Sequence, residues 1–366
     1  MSAPDVKVVK QIAEGRWDEI LPGLAPSIAH AFGKKLGRHV ACPHHAGKSE
    51  ANFRAFRNVA VSGGVVCNSC GTFASGIDTL MWANNWSFAE AVKEVDKWLG
   101  GVRTLSPAEL ARQAALQEKR RAAAKRARII EDKRSRASLN AVWRASVPLD
   151  HPSAAPARLY FANRGLSLQS YSPEMRFHPA LNYIHTDEDE AIRSRHPAIV
   201  TRVRTADGKP GTLHRTYITV DGQKLRLGVT KKLMSHPSDV SLTGGAIRLM
   251  PATRTIGVAE GIETAYAAME LFGINVWPCV SRALLESFEP PPNVEKVVVF
   301  GDLDASGDGQ RSAQALVERL WANGIMAGLR LPEGPIPAGS KGVDWNDVLQ
   351  GQKFARTSRR ANGAGR

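Results

Sequence analysis

Between residues 254 and 350 short apolar runs alternate with amphipathic ones, and this alternation restricts the possible folds more than any other feature of the chain. "RTIGVAEG", "INVWPCV", "VEKVVVFG" and "IMAGLRLP" read as strands, and "IETAYAAMELFG", "SRALLESF" and "GQRSAQALVERLWANG" between them read as helices. Strand and helix in strict alternation predict a parallel sheet covered by helices, with ligand chemistry outside the carboxyl ends of the strands. Two of those ends are acidic. Glu260 closes the first strand, and Asp302 and Asp304 follow the apolar run "VVVF".

Side chains at i and i+2 share one side of a pleated strand, so Asp302 and Asp304 are expected to converge on one ion. Neighbouring strand ends would bring Glu260 into the same site. Oxygen-only ligands suit Mg²⁺ or Mn²⁺, hard cations that keep open positions for water and phosphate. Gly301, Gly307 and Gly309 let the backbone turn and approach a ligand. Asp308, just before "GQRSAQAL", is expected to be a helix N-cap.

A second cluster lies near the N-terminus, in "ACPHHAGKSEANFRAFRNVAVSGGVVCNSCGTF". Cys42-x2-His45 and Cys67-x2-Cys70 form two knuckles separated by strand-like segments, the pattern of a zinc ribbon with a closed, structural tetrahedron. His44 rivals His45, but only His45 repeats the spacing of the other pair. Lys48, Arg54 and Arg57, interleaved with Phe53 and Phe56, suit single-stranded nucleic acid, although such aromatics also build ribbon cores. Cys279 reads as a small buried apolar residue.

The 366 residues carry 49 Lys+Arg against 35 Asp+Glu, a formal charge of +14. A surplus of this size points to a polyanionic partner, above all nucleic acid. "SPAELARQAALQEKRRAAAKRARIIEDKRSRASLNAVWRAS" opens with Ser106 as N-cap and Pro107 in the first turn, so a long basic helix is expected from about Pro107 to Arg144. From 151 to 253 strand-like runs alternate with the turn signals "ADG" and "VDG". The acid-free tail "GQKFARTSRRANGAGR" is expected to be disordered. No signal-type or membrane-spanning apolar run is present, and the few clustered cysteines suit a reducing, cytoplasmic setting.

"VAEGIETA" followed by "VVVFGDLDASGDGQRSA" resembles the TOPRIM fold of primases, topoisomerases and some nucleases, and "GVDWNDVL" resembles the closing acidic segment of plasmid- and phage-type TOPRIM primases. "RWDEILPGL" with the CPxH…CxxC cluster is similar to the zinc-binding domain of those primases; "YFANRGL", "LHRTYIT" and "KKLMS" are similar to the basic half of their polymerase core. The resemblance implies a multidomain α/β chain: a zinc ribbon (1–101), a basic helical linker (102–150), a basic α+β half of a primase core (151–253), a TOPRIM parallel-sheet domain (254–350) and a tail (351–366). It also implies template-directed primer synthesis from NTPs on single-stranded DNA. Asp302 and Asp304 would hold metal, Glu260 would bind metal or handle a proton, and Asp347 or Asp344 would complete the site. Glu263 would lie at the surface or behind the ligands. Arg164, Arg215, Lys231 and Lys232 would contact template or triphosphate. "GPIPAGSK" lacks the ending of a Walker A loop, so any helicase is expected to be a separate partner in plasmid or phage replication. A TOPRIM nuclease and a non-catalytic single-strand binder are the rival readings, with a topoisomerase third because none of the five tyrosines has a catalytic setting.

Overall fold

A computed structural model describes residues 4–33, 36–45, 52–67, 69–101, 106–168, 170–187 and 190–363. The chain divides into two units, Met1–Ile129 and Ile130–Arg366.

In the first unit, helices α1 (Val6–Ala13) and α2 (Trp17–Leu24) precede the ribbon. Asp5 accepts from the amides of Lys7 and Val8 and so caps α1. Strands β1 (Phe53–Ala55), β2 (Val65–Cys67) and β3 (Gly71–Phe73) form an antiparallel sheet in that order, with the single turn α3 (Val59–Ser62) between the first two. Helices α4 (Gly76–Asn84) and α5 (Phe88–Trp98) close the unit, and α5 opens on a reciprocal Ser87–Glu90 capping box. Val9, Ile20, Leu21, Ile28, Phe53, Val65, Leu80 and Val92 supply its core. The packing is tightest at Gly76, where a Cβ would lie 2.2 Å from the Trp17 ring.

The long helix expected from the alanine-rich stretch is α6, Pro107–Ala145. Ser106 and Glu109 cap it reciprocally. Among the described residues no helix is long and apolar enough to cross a membrane.

The second unit joins two large sheets and a two-stranded one, β12 (Leu303–Asp304) with β14 (Gly342–Val343). Strands β4 (Val147–Pro148), β5 (Met175–Asp187), β6 (Glu190–Arg204), β7 (Pro210–Tyr217) and β8 (Lys231–Leu233) form an antiparallel sheet in sequence order, with α7 (Ala155–Asn163) against it. Gly208 and Gly222, in the two turn signals, both take positive φ. The predicted alternation follows: β9 (Thr255–Ala259), α8 (Ile262–Phe272), β10 (Val276–Pro278), α9 (Arg282–Glu286), β11 (Lys296–Phe300), β12 (Leu303–Asp304), α10 (Asp308–Ala322) and β13 (Met326–Arg330). All four long-sheet strands are parallel, in the order β10-β9-β11-β13. One core runs through both halves, from Tyr160, Phe177 and Ile199 to Val258, Val297 and Leu316.

The terminal segment departs from expectation. After β14 (Gly342–Val343), helix α11 runs from Trp345 to Gly363, where a disordered tail was predicted. Its residues after Gly351 are mostly good helix formers without proline. Lys353 also anchors the helix, bonding the carbonyl of Gly165 at 2.6 Å and pairing with Glu270 at 2.5 Å.

Candidate active site and metal centre

The two cysteine knuckles meet. Ligand atoms of Cys42, His45, Cys67 and Cys70 all lie within 4.8 Å of one another. Cys42 Sγ is 3.8 Å from Cys70 Sγ, the edge expected of a tetrahedron with zinc–sulfur bonds of about 2.3 Å. His45 Nε2 lies 3.2 Å from Cys67 Sγ, with its Nδ1 3.5 Å from Asn52 Nδ2. Burial pushes the Cys70 thiol up to about 12, and the neighbouring sulfurs of Cys67 and Cys42 add to the rise. Burial also opposes ionisation of Cys67, yet the amides of Cys70 and Ser69 draw it down to about 7. Sulfurs crowded in this way are relieved by a shared dication, so the quartet fits Zn²⁺ with no open position. His44 is exposed and packs on Trp82 at 4.6 Å, outside the quartet. Phe53 is ribbon core, Arg54 lies 5.9 Å over the Phe56 ring, and Arg57 is exposed in a turn after β1. Lys48 lies outside the described residues.

The acidic site grows from the parallel sheet. Ala259 of β9 pairs with Phe300 of β11, so Glu260 and Asp302 leave adjacent strand ends. Val280, a β-branched residue at φ 59, donates its amide to the Glu260 carbonyl at 2.8 Å. Backbone strain of that kind is costly and persists only where the surroundings fix it. Burial raises the Glu260 carboxyl; Arg282 and Lys231 oppose the rise, and Asp304 and Glu286 add to it. Asp302 is pushed up to about 7, first by burial and then by the negative charges of Asp344 and Glu260. Its Oδ1 is buried without a hydrogen-bond partner among the described residues. A buried, orphaned carboxylate oxygen among like charges is a place that a cation fits.

Among the described residues the Cys/His quartet is the one group of this kind within 4.8 Å; Asp344, Glu260 and Asp304 act on Asp302 as neighbouring negative charges. Two sequence expectations need correction here. Asp304 faces the start of α10, where its carboxylate accepts from Gly309 N at 2.7 Å, Asp308 N at 3.1 Å and Ser306 Oγ at 2.7 Å. Asp304 therefore caps the helix, and the role expected of Asp308 is not its own. Asp308 is the first helical residue and pairs with Arg311 and Arg282. A Cβ on Gly309 would stand 2.8 Å from Asp304 Oδ2, so this capped turn requires glycine. Asp347 is exposed; its carboxylate accepts from the Asp344 amide at 3.0 Å, and its own amide donates to the Asp344 carboxylate at 2.9 Å, across the first turn of α11. Half-buried Asp344 is the carboxylate that acts on Asp302.

Glu263, expected at the surface or behind the ligands, is 4% exposed. Lys231 Nζ donates to its Oε2 at 2.7 Å, and the Tyr160 hydroxyl donates to Oε1. Burial opposes its ionisation, but the Lys231 ammonium prevails and holds the carboxyl down to about 2. His214 lies buried nearby, lowered to about 4 by burial and then by Lys231, so it is neutral.

The four predicted nucleic-acid cations do not converge. Lys231 reaches the acidic site, and the Arg164 guanidinium lies 5.0 Å over the Tyr160 ring on that same side. Lys232, next along β8, points to the opposite face of the sheet, 4.2 Å over the Tyr183 ring. Arg215 shares that second face, bonded to Tyr217 Oη at 3.2 Å and to the Leu233 carbonyl at 3.0 Å.

Comparison with known families places these features. Residues 255–353 match the Toprim domain, residues 37–77 match the zinc-binding domain of primase-helicase, and residues 133–249 match a domain of unknown function, DUF7146. The chain thus carries a primase-type zinc ribbon and a Toprim domain on a multidomain α/β fold. No curated protein matches it. Among solved structures it is similar to a DNA primase domain from Pseudomonas aeruginosa, at 14% identity and a TM-score of 0.38, over 60% of this chain and 74% of that one. It is also similar to a DnaG primase catalytic domain bound to ssDNA, at 14% identity and a TM-score of 0.41, over 64% and 80% of the two chains. A third is the Aquifex aeolicus primase (zinc-binding and RNA polymerase domains), at 14% identity and a TM-score of 0.38, over 99% and 86%.

Proposed function

We propose that the protein is a DNA primase that makes short oligonucleotide primers from NTPs on single-stranded DNA. The observation that carries the reading is the buried Asp302 carboxyl, whose Oδ1 has no partner among the described residues and whose proton affinity is raised by burial and by the nearby charges of Asp344 and Glu260. A primase-type ribbon on the same chain supports it.

Glu260 and Asp302, with Asp344 in place of Asp347, would hold Mg²⁺ or Mn²⁺. Bound there, the ion would offset charge on the triphosphate and on the leaving pyrophosphate. The primer 3′-hydroxyl attacks the α-phosphorus of the incoming NTP, its proton passing to Glu260 or to water, and the bond to pyrophosphate breaks. Asp304 shapes the turn that carries Asp302 by fixing the start of α10. Lys231 would take the triphosphate by exchanging part of its bond to Glu263 for one to phosphate. Lys232 and Arg215, on the other face, would meet the template strand. The segment "GVDWNDVL" supports a plasmid- or phage-type enzyme, working in the cytoplasm beside a separate helicase.

Labelled single-stranded DNA is incubated with Mg²⁺, with and without NTPs. Products that require NTPs and disappear in Asp302→Asn are expected. Cleavage without NTPs would assign a nuclease, and synthesis that survives Asp302→Asn would remove the metal role.

A further inference from the structure

Helix α6 is anchored along one side. In the first unit, Gln117 bonds the Gln11 carbonyl and Arg121 Nε bonds Glu14 at 2.9 Å. In the second unit, Asp132 accepts from Ser238 at 2.7 Å, Ser135 donates to the Ser235 carbonyl at 2.8 Å, and Arg136 pairs with Asp239 at 2.6 Å. At about 100° per residue these anchors fall on one side of the helix, the side from which Leu139, Val142 and Trp143 enter a core cluster.

The opposite side is basic and free. Arg112, Lys119, Arg126 and Lys133 recur at every seventh position, each within about 20° of the last. Arg134 and Arg144 fall beside them, and all six side chains are exposed. None of the six has a hydrogen-bond or ion-pair partner among the described residues. Asp132 lies about 100° from this stripe, Glu118 and Glu131 about 60° from its edges, and Glu109, which is engaged in the cap with Ser106, at its border.

We infer that the free face of α6 binds the phosphate backbone of the single-stranded template, as a contact surface separate from the acidic site. Cations about 10 Å apart along a helix do not fit one phosphate group, but they match a polymer that repeats its charge. A lipid surface is the weaker fit, because a membrane-lying helix needs a continuous row of large apolar residues. Leu116, Ile129 and Ile130 are exposed here without forming such a row. The inference rests on the nucleic-acid reading of the chain, but not on its polymerising chemistry.

The test uses the full chain, a fluorescent single-stranded oligonucleotide and anisotropy over about 50 to 200 mM salt. Arg112→Gln/Lys119→Gln/Arg126→Gln probes the first unit, and Lys133→Gln/Arg134→Gln/Arg144→Gln probes the second. Lys7→Gln/Lys93→Gln/Arg254→Gln removes equal charge elsewhere. Each phosphate contact contributes about 0.7 to the slope of log K against log salt, so each α6 variant is expected to lower it by up to about 2. The control should leave it unchanged, with helix content equal in all by circular dichroism. Unaltered slopes in both α6 variants, or an equal fall in the control, would overturn the inference while leaving the primase reading standing. Loss of binding to phosphatidylserine vesicles with the DNA slope intact would reassign the face to lipid. A wild-type chain that binds no DNA would instead defeat the functional reading itself.

Discussion

Replacing Lys231 with methionine tests the electrostatics of the second unit most directly. In the native fold Glu263 is buried and its carboxyl lies near 2, against an ordinary 4.5. That difference of about 2.5 units corresponds to about 3 kcal/mol at 1.36 kcal/mol per unit. Lys231 is 40% exposed, and solvent screens part of its charge, which brings its share to about 2 kcal/mol. Removal of the ammonium also leaves the carboxylate buried with only the Tyr160 hydroxyl, which restores the expected cost to about 3 kcal/mol at pH 7. The depressed pKa stabilises the fold above 4.5, and that stability is lost as pH falls toward 2. In Lys231→Met the carboxyl instead rises and takes up a proton on mild acidification, so the gap between the two proteins should narrow to about 1 kcal/mol near pH 3. Native-state hydrogen exchange of the α8 amides reads the opening free energy of the element that carries Glu263. Unchanged α8 protection at pH 7, or an equal loss at every pH, would refute the coupling. Tyr160→Phe should cost about 1.5 kcal/mol in the same assay, the value of one hydrogen bond to a charged group.

The chain should bind one zinc ion, counted by metal analysis, and Cys67→Ser or a strong chelator should abolish exchange protection of the β1–β3 ribbon while sparing the second unit. Gly76→Ala drives a methyl to 2.2 Å from Trp17, so a loss of about 2 to 3 kcal/mol in urea unfolding of the first unit is expected. Trp345 is buried and packs edge-on to Phe300 and Phe272, with its Nε1 bonded to the Gly301 carbonyl at 3.2 Å. Trp345→Ala should therefore cost about 3 to 5 kcal/mol and weaken Mg²⁺-dependent synthesis by loosening the turn before Asp302.

What the sequence discloses about this fold depends on how local each determinant is. The strand–helix alternation from β9 to β13 is written in nearby residues, and so are the paired knuckles that bring Cys42, His45, Cys67 and Cys70 together. The Asp302–Asp304 spacing is equally local, yet the expectation drawn from it was incomplete. Alternation across a pleat holds only while the strand continues, and here β11 ends at Phe300 before either acid. The competing signal lay in "DASGDG": an aspartate followed by Ser306, Gly307 and Gly309 is placed to accept backbone amides. "DWND" likewise spells a reciprocal cap that engages both carboxylates, and it is burial that separates them: Asp347 is exposed, whereas half-buried Asp344 acts on Asp302. Glu263 had no such signal. Its partners Tyr160 and Lys231 lie 103 and 32 residues away and meet it only once the antiparallel sheet docks on the parallel one. The acids of this site thus separate by what satisfies them. Asp304 and Asp347 are held by backbone amides that short motifs reveal, and Glu263 is held by a distant lysine and tyrosine. Asp302 keeps one buried oxygen with no partner among the described residues, which makes it the acid placed to take a complement from outside the chain.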